Sequence, residues 1–387
     1  MIDKIVIFTG SKKDFEAFIT ENIPDIDEDT ITIPFLELIQ HYNARIRPNE
    51  SGVKESDLSR IIKVDNCIVR AEDYRSVLEH VLSNFISVVT RNHDIETLYI
   101  HNPPKRVMRS LVSAYSDIIE YHQTEYKDIT KDVLKEVYFN LSNDILGQDE
   151  CKKSIVSALY RLSKTSSINR PVVLMLYGPS GVGKTETAKS ISKTLGGELL
   201  RVQFSMMQTS EAYNYVFGAE HSKGSFASDM MSRESNVILI DEFDKVNPAF
   251  YNAFYELFDE GRYVDSNYEV DLKRSIFLCT CNFMNEDEIR KALGPAMHSR
   301  IGCCIEYADL SYDQKCQIIS KWHSDIMNRL SCDEQAIICE TDILKWFILN
   351  ADRYDNIRTL KSKLENAMFD ELTYKFIISP EDDMVVE

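Results

Sequence analysis

Eight consecutive residues, Gly178, Pro179, Ser180, Gly181, Val182, Gly183, Lys184 and Thr185, have the types and spacing to hold a phosphate. They fill the pattern G-x-x-x-x-G-K-[ST] in full. Small residues let successive backbone N–H groups curl round an anion, and a helix opening at Lys184 would aim its positive end at the same group. Lys184 can reach the outer phosphates, and the Thr185 hydroxyl can ligate Mg²⁺. A second chemical pair, Asp241 and Glu242, closes an apolar run. Beside a phosphate loop the natural division of labour is Asp241 in the Mg²⁺ shell and Glu242 polarising the attacking water. Alone, two acids at a strand end can simply mark a strand meeting solvent. Asn282 closes a third run, where an amide can orient water or merely make a turn. Arg300 follows a predicted loop containing Gly294 and Pro295, and its spacing by itself fits an ordinary surface arginine.

Buried strands have to position these groups. Residues 172–177, 237–240 and 276–281 are unbroken apolar runs, short enough for strands covered on both faces of a parallel sheet. In open α/β sheets ligands bind at the carboxyl ends of the strands, where all three runs deliver their polar residues. Residues 201–205 predict another strand, 224–231 a helix, and 206–223 an irregular stretch. Upstream, 131–141 predict a helix capped by Thr130 or Asp128, and Ile155, Leu159 and Leu162 mark the next. Beyond Leu310 the spacing turns helical, over 312–330, 341–350 and 356–374. Residues 1–127 predict a separate α/β domain with strands at 5–9 and 98–101. Helices are expected over 13–21, over 73–90 and after Pro103-Pro104, with a polar loop over 49–59. His101, Lys105, Arg106 and Arg109 form a basic-leaning group there, read as a solvated helix face or as an anion or partner contact.

A chain of 387 residues accommodates two or three domains. With 44% hydrophobic and 27% charged residues it has the composition of a soluble globular protein. No run is long and apolar enough for a membrane span, and no secretory leader opens the sequence. Nine cysteines lie scattered without C-x-x-C pairs. Those at 279, 281, 303 and 304 read as small hydrophobes, and a reducing, cytoplasmic setting is expected. The net charge of −18 disfavours binding to nucleic-acid backbones.

Together these motifs resemble the Clp/Hsp100 branch of AAA+ ATPases, from about Asp144 towards the C-terminus. ILGQDECKKSIVSAL resembles the entry segment whose residues contact adenine, which assigns Ile145 and Leu146 to nucleotide binding. GPSGVGKTETAKSIS resembles the phosphate loop, VILIDEFDKVNPAFYNAFYELFDEGRYVD the Mg²⁺ and water-activating segment, and FLCTCNF the sensor-1 strand with Asn282 in the sensor position. PAMHSRIG resembles the arginine-finger segment, making Arg300 the finger, and NIRTLKSKL puts Arg358 at the sensor-2 position of a helical lid. The resemblance does not cover 1–127, which stand as an α/β accessory domain of unassigned role; it implies a P-loop domain over 128–307 with its parallel sheet flanked by helices, and a small helical lid over 308–387. It also implies ATP and Mg²⁺ as ligands and a homo-oligomeric ring, usually a hexamer.

Two departures bear on function. The family's substrate-gripping loop carries an aromatic residue between glycines. The corresponding stretch here, 218–224, has none, and nearby Tyr213, Tyr215, Phe217 and Phe226 are expected to pack into the core. A cysteine-rich zinc module and a protease-docking Ile-Gly-Phe loop are also missing. The expectation is a ring ATPase that remodels a protein partner chosen by its N-terminal domain. Its alternative is an ATP-controlled assembly switch, in defence or signalling, that threads no polypeptide.

Overall fold

The computed structural model describes residues 1–23, 30–46, 61–164, 170–206, 209–220, 223–354 and 356–378. The expected loop at 49–59 lies outside them. Two five-stranded sheets, each wholly parallel, organise the chain. The first has the order β2-β3-β4-β1-β5, from β1 (Ile2–Thr9), β2 (Thr32–Pro34), β3 (Ile62–Val69), β4 (His93–His101) and β5 (Ile119–Gln123). Ile5 and Ile7 enter one core while Val6 and Phe8 enter another, so β1 is an unbroken apolar run from Ile5 to Phe8, buried on both faces.

The second sheet has the order β12-β6-β11-β8-β7, from β6 (Val172–Tyr177), β7 (Leu200–Gln203), β8 (Val237–Asp241), β11 (Ile276–Thr280) and β12 (Cys303–Glu306). A short antiparallel pair, β9 (Arg262–Val264) and β10 (Glu269–Asp271), stands apart. Along β6, Val173, Met175 and Tyr177 face an aromatic-rich core, while Val172, Leu174 and Leu176 face the helices Lys131–Asp144, Asp149–Leu159 and Lys184–Leu195. Thr130 is the cap of the first of these, accepting from the Val133 N–H. Four helices, Tyr312–Met327, Cys332–Glu340, Ile343–Leu349 and Ile357–Thr373, share a separate small core. Capping boxes at Ser311 and Ser331 and the Asn356 side chain start three of them.

Three expectations need correction. Residues 73–90 form three short helices, Asp73–Ser76, Glu79–Ser83 and Phe85–Thr90, because Val77 and Leu78 are extended between the first two. The stretch taken as irregular contains the helix Thr209–Phe217. The segment before Arg300 is not a loop: helix continues from Glu286 to His298 across a kink at Gly294 (φ 76°, ψ 162°), with Pro295 opening the second piece.

The sheets are joined by specific contacts. The Asn102 amide donates to the Ser232 hydroxyl at 3.1 Å, the Lys105 N–H donates to the Asn267 carbonyl at 2.8 Å, and the Lys105 ammonium donates to the Asp265 carbonyl. The Arg233 guanidinium lies 4.6 Å from the Tyr126 ring centre. The basic group divides: His101 is buried and Lys105 reaches across to the second sheet, whereas Arg106, paired with Glu79, and Arg109 lie on an exposed helix face.

Candidate nucleotide site

The chain turns from β6 into its helix through three residues that need glycine. Gly178, Gly181 and Gly183 have φ of 122°, 86° and 109°, which side-chain-bearing residues rarely adopt. At Gly178 space is also decisive, since a Cβ would lie 2.2 Å from the Tyr307 carbonyl oxygen. Gly183 caps the helix Lys184–Leu195 without any side-chain acceptor. Among the described residues no group accepts from the N–H of Gly181, Val182 or Gly183. These amides and the helix end form a concave, positively polarised surface.

Lys184 crosses it. Its ammonium donates to the carbonyls of Gly178 (2.5 Å) and Pro179 (2.9 Å) and to Asn282 Oδ1 (3.2 Å). Among the described residues no carboxylate pairs with it. Desolvation is the largest influence on it and lowers its pKa from the ordinary lysine value. A buried cation satisfied only by neutral oxygens is matched to a polyanion.

The acids sit opposite. Asp241, only 6% exposed, receives two hydrogen bonds from Arg201, at 3.0 and 2.5 Å, and one from Thr280. Thr280 also accepts from the Glu242 N–H at 3.0 Å, so one hydroxyl ties both acids to the neighbouring strand. Glu242 has φ 55°, in the left-handed region, and this turns its carboxylate to Ser205 (2.5 Å) and Gln203 (3.0 Å). Those two donors, Ser205 first, hold its pKa below the ordinary carboxylate range.

A cleft of about 700 Å³ gathers Ile145, Leu146, Thr185, Lys184, Asp241, Glu242, Asn282 and Arg358. The lid closes one side: the Asn356 amide oxygen lies 3.3 Å from where a Gly181 Cβ would stand, and the backbone N–H groups of Ile357 and Arg358 lie just beyond. Ile145 packs against Gly183, with Cγ2 3.4 Å from a Cβ there. The loop and the acids fit a triphosphate with a divalent cation. Thr185 and Asp241 would hold the ion, once Asp241 shares its oxygens with Arg201.

Arg300 is not in this cleft. Its guanidinium donates to Asp259 Oδ2 at 2.7 Å and to the Ala296 carbonyl at 2.6 Å, and lies 4.4 Å from the Tyr255 ring centre. Of the four aromatics assigned to the core, Phe226 is fully buried, Phe217 packs against the core, and Tyr215 is anchored by a 2.7 Å bond to Asp229. Tyr213 is the exception, 56% exposed with its ring centre 4.8 Å from that of Phe217.

Sequence reading missed Arg201, Gln203, Ser205 and Thr280. The signal was present: in 200–205 polar residues at 201, 203 and 205 alternate with apolar Leu200, Val202 and Phe204. That period sends one face of β7 towards the acids of β8, its register neighbour through Gln203 and Asp241.

A family model described as AAA domain (Cdc48 subfamily) matches residues 169–331. Over those residues the chain is similar to AAA+ ATPases, and its relatives include members of the Clp/Hsp100 branch. Among similar curated proteins, Lon protease 2 of Borreliella burgdorferi is 26% identical over 376 residues, covering 90% of this chain and 45% of its own length. The chaperone protein ClpB of Tropheryma whipplei is 26% identical over 269 residues, with 62% of this chain and 38% of the relative covered. The ClpA homolog protein of Fuscovulum blasticum is 27% identical over 228 residues, covering 51% and 29%. The chain thus spans less than half the length of these relatives. No helix among the described residues is long and apolar enough to cross a membrane.

Proposed function

We propose that this chain binds and hydrolyses ATP in the cleft between the AAA+ domain and the helical lid, and couples turnover to remodelling of a protein partner. The observation that carries this is the buried Lys184 ammonium, set among unspent loop amides and across from Asp241 and Glu242. In this reading the amides of 181–183 and Lys184 orient the phosphates, while Ile145 and Leu146 hold the base. Thr185 and Asp241 ligate Mg²⁺, which screens phosphate charge when bound. Glu242, held ionised, takes the proton of the attacking water, and Asn282 aligns that water. Arg358 approaches from the lid. Arg300 acts on the site of a neighbouring copy in a ring, usually a hexamer, after leaving Asp259. Residues 1–127 select the partner, 128–307 carry the catalytic set and 308–387 the lid.

Two variants test the reading. Lys184→Ala should bind a fluorescent ATP analogue with affinity weaker by roughly a hundredfold or more. Glu242→Gln should bind ATP yet fail to turn it over, and full turnover in that variant removes Glu242 as the base.

A second reading, an ATP-driven assembly switch without threading, draws support from the 218–224 stretch. Its start is tied back onto the β9–β10 turn: the Phe217 carbonyl accepts from the Ser266 N–H, and the Ala219 carbonyl from the Asn267 amide. The same turn is held by Lys105 of the N-terminal unit. ATP-dependent unfolding of a tagged model protein separates the readings; its absence alongside ATP-dependent assembly favours the switch.

A further inference from the structure

Outside the cleft, the fold brings together three side chains that the sequence keeps apart: Glu286 and His298, at opposite ends of one helical segment, and Cys304 on β12. Their ligating atoms all lie within 4.8 Å of one another, and His298 Nε2 is 3.2 Å from Glu286 Oε1. On a straight helix twelve residues would separate the first two by about 18 Å. The kink at Gly294 reverses that separation, folding the second piece back so that His298 meets Glu286. Cys304 is the member of the Cys303-Cys304 pair that joins them. Adjacent strand residues point to opposite faces, and Cys303 packs with the helix-side core while Cys304 packs with the aromatic core.

We infer that Glu286, His298 and Cys304 form a binding site for Zn²⁺ or a similar borderline-soft divalent cation. One thiolate, one imidazole and one carboxylate are a mixed sulfur, nitrogen and oxygen set that suits this ion and no hard cation. Tetrahedral zinc requires ligand atoms about 3.3–3.8 Å apart, given bond lengths of about 2.0–2.3 Å. The observed spread closes to that with movements of an ångström or less in side chains that are half-buried or exposed. Three protein ligands leave a fourth position for water or for a group from another molecule. The location gives the ion a consequence. The His298 carbonyl accepts from the Ile301 N–H and the Met297 carbonyl from the Arg300 N–H, so the turn carrying Arg300 hangs directly from the His298 end of the segment. A bound ion would pin that turn to β12 and stiffen the base from which Arg300 reaches out.

The test is Zn²⁺ binding to the tag-free, nucleotide-free full chain, in competition with a chromogenic chelator, with Co²⁺ as a spectroscopic stand-in. One equivalent should bind. Cys304→Ser and His298→Ala should each weaken it at least about tenfold, Glu286→Gln less, and Cys332→Ser, an exposed cysteine elsewhere, not at all. The Co²⁺ complex should show a thiolate charge-transfer band that Cys304→Ser removes. Failure of the wild-type chain to bind Zn²⁺ overturns the inference and leaves Glu286–His298 as a plain ion pair. So does equal binding by wild type, Cys304→Ser and His298→Ala, or a loss shared equally by Cys332→Ser.

Discussion

The two parallel sheets begin alike and end differently. In each, a buried strand (β1 or β6) runs into a glycine of positive φ (Gly10 at 142°, Gly178 at 122°) and then a helix. In the N-terminal sheet every polar group of that turn is spent internally. The Gly10 N–H donates to Asn102 Oδ1 at 2.8 Å, and its carbonyl accepts from the Asn102 amide at 2.8 Å while lying 2.9 Å from His101 Nε2. The Ser11 N–H donates to Thr124 Oγ1 at 2.8 Å, and the Ser11 hydroxyl caps its own helix through the Asp14 N–H. Burial lowers the His101 pKa, so the imidazole serves as a neutral partner, stacked 4.5 Å from Phe15. In the second sheet the equivalent amides of 181–183 have no acceptor among the described residues, and Gly183 caps without a side chain. A strand–glycine–helix turn becomes an anion site only when its amides are left unspent, and the neighbouring strand tips decide that. β4 and β5 supply closing residues (Asn102, Thr124), whereas β8 and β11 supply acids and Asn282.

The sharpest break of this contrast is at Lys184. Lys184→Ala should cost nucleotide affinity roughly a hundredfold or more, about 2.7 kcal/mol, measured by titration with a fluorescent ATP analogue. Glu242→Gln should leave that affinity in place and lower turnover by about 10²–10⁴. Arg300→Ala follows. If the neighbouring copy uses this arginine, turnover at saturating ATP falls about a thousandfold with little change in affinity. An unchanged rate, or a brisk rate from single chains, would refute the shared-site reading.

How much of this was legible from sequence depended on whether a feature was local. Strands β6, β8 and β11 were readable because burial on both faces makes each an unbroken apolar run, and the phosphate loop because its glycines are forced by φ and by contact with Tyr307. The 73–90 region misled because Val77, Val81, Leu82, Phe85 and Val88 keep helical spacing although the backbone breaks at Val77-Leu78 and again at Asn84, whose amide bonds the His80 carbonyl. Gly294 and Pro295 predict a loop, but sequence could not tell a loop from two helical pieces meeting at an angle. The closure of the N-terminal turn was invisible: Asn102 and Thr124 reach Gly10 and Ser11 from far along the chain.

That closure can be broken on its own. A Cβ on Gly10 would lie 2.1 Å from Thr124 Oγ1 and 2.9 Å from the Thr124 backbone nitrogen, at a φ that disfavours any side chain. Gly10→Ala should therefore destabilise the N-terminal sheet by about 2–3 kcal/mol while leaving ATP affinity near wild type. Denaturant unfolding followed by probes in each unit, alongside the nucleotide titration, separates these effects. An equal loss of ATP affinity would show that the two sheets are energetically one unit, joined through Asn102–Ser232 and Lys105–Asn267.

The smallest effect concerns a single carboxylate within the open turn. Ser205 and Gln203 donate to ionised Glu242 and hold its pKa below the ordinary carboxylate range, Ser205 contributing most. A base must be ionised to accept a proton, so the acid limb of the turnover profile follows this pKa. Removing a donor to the charged form raises it. Ser205→Ala should therefore move the acid limb to higher pH, costing rate on the acid side and little near neutrality, and Gln203→Ala should do the same to a smaller degree. The same bonds hold the carboxylate against the end of β7 and the turn after it, so at neutral pH their loss should leave the rate near wild type. An acid limb that stays in place in both variants would mean that another group sets it, or that Glu242 has already left Ser205 and Gln203 when ATP is bound.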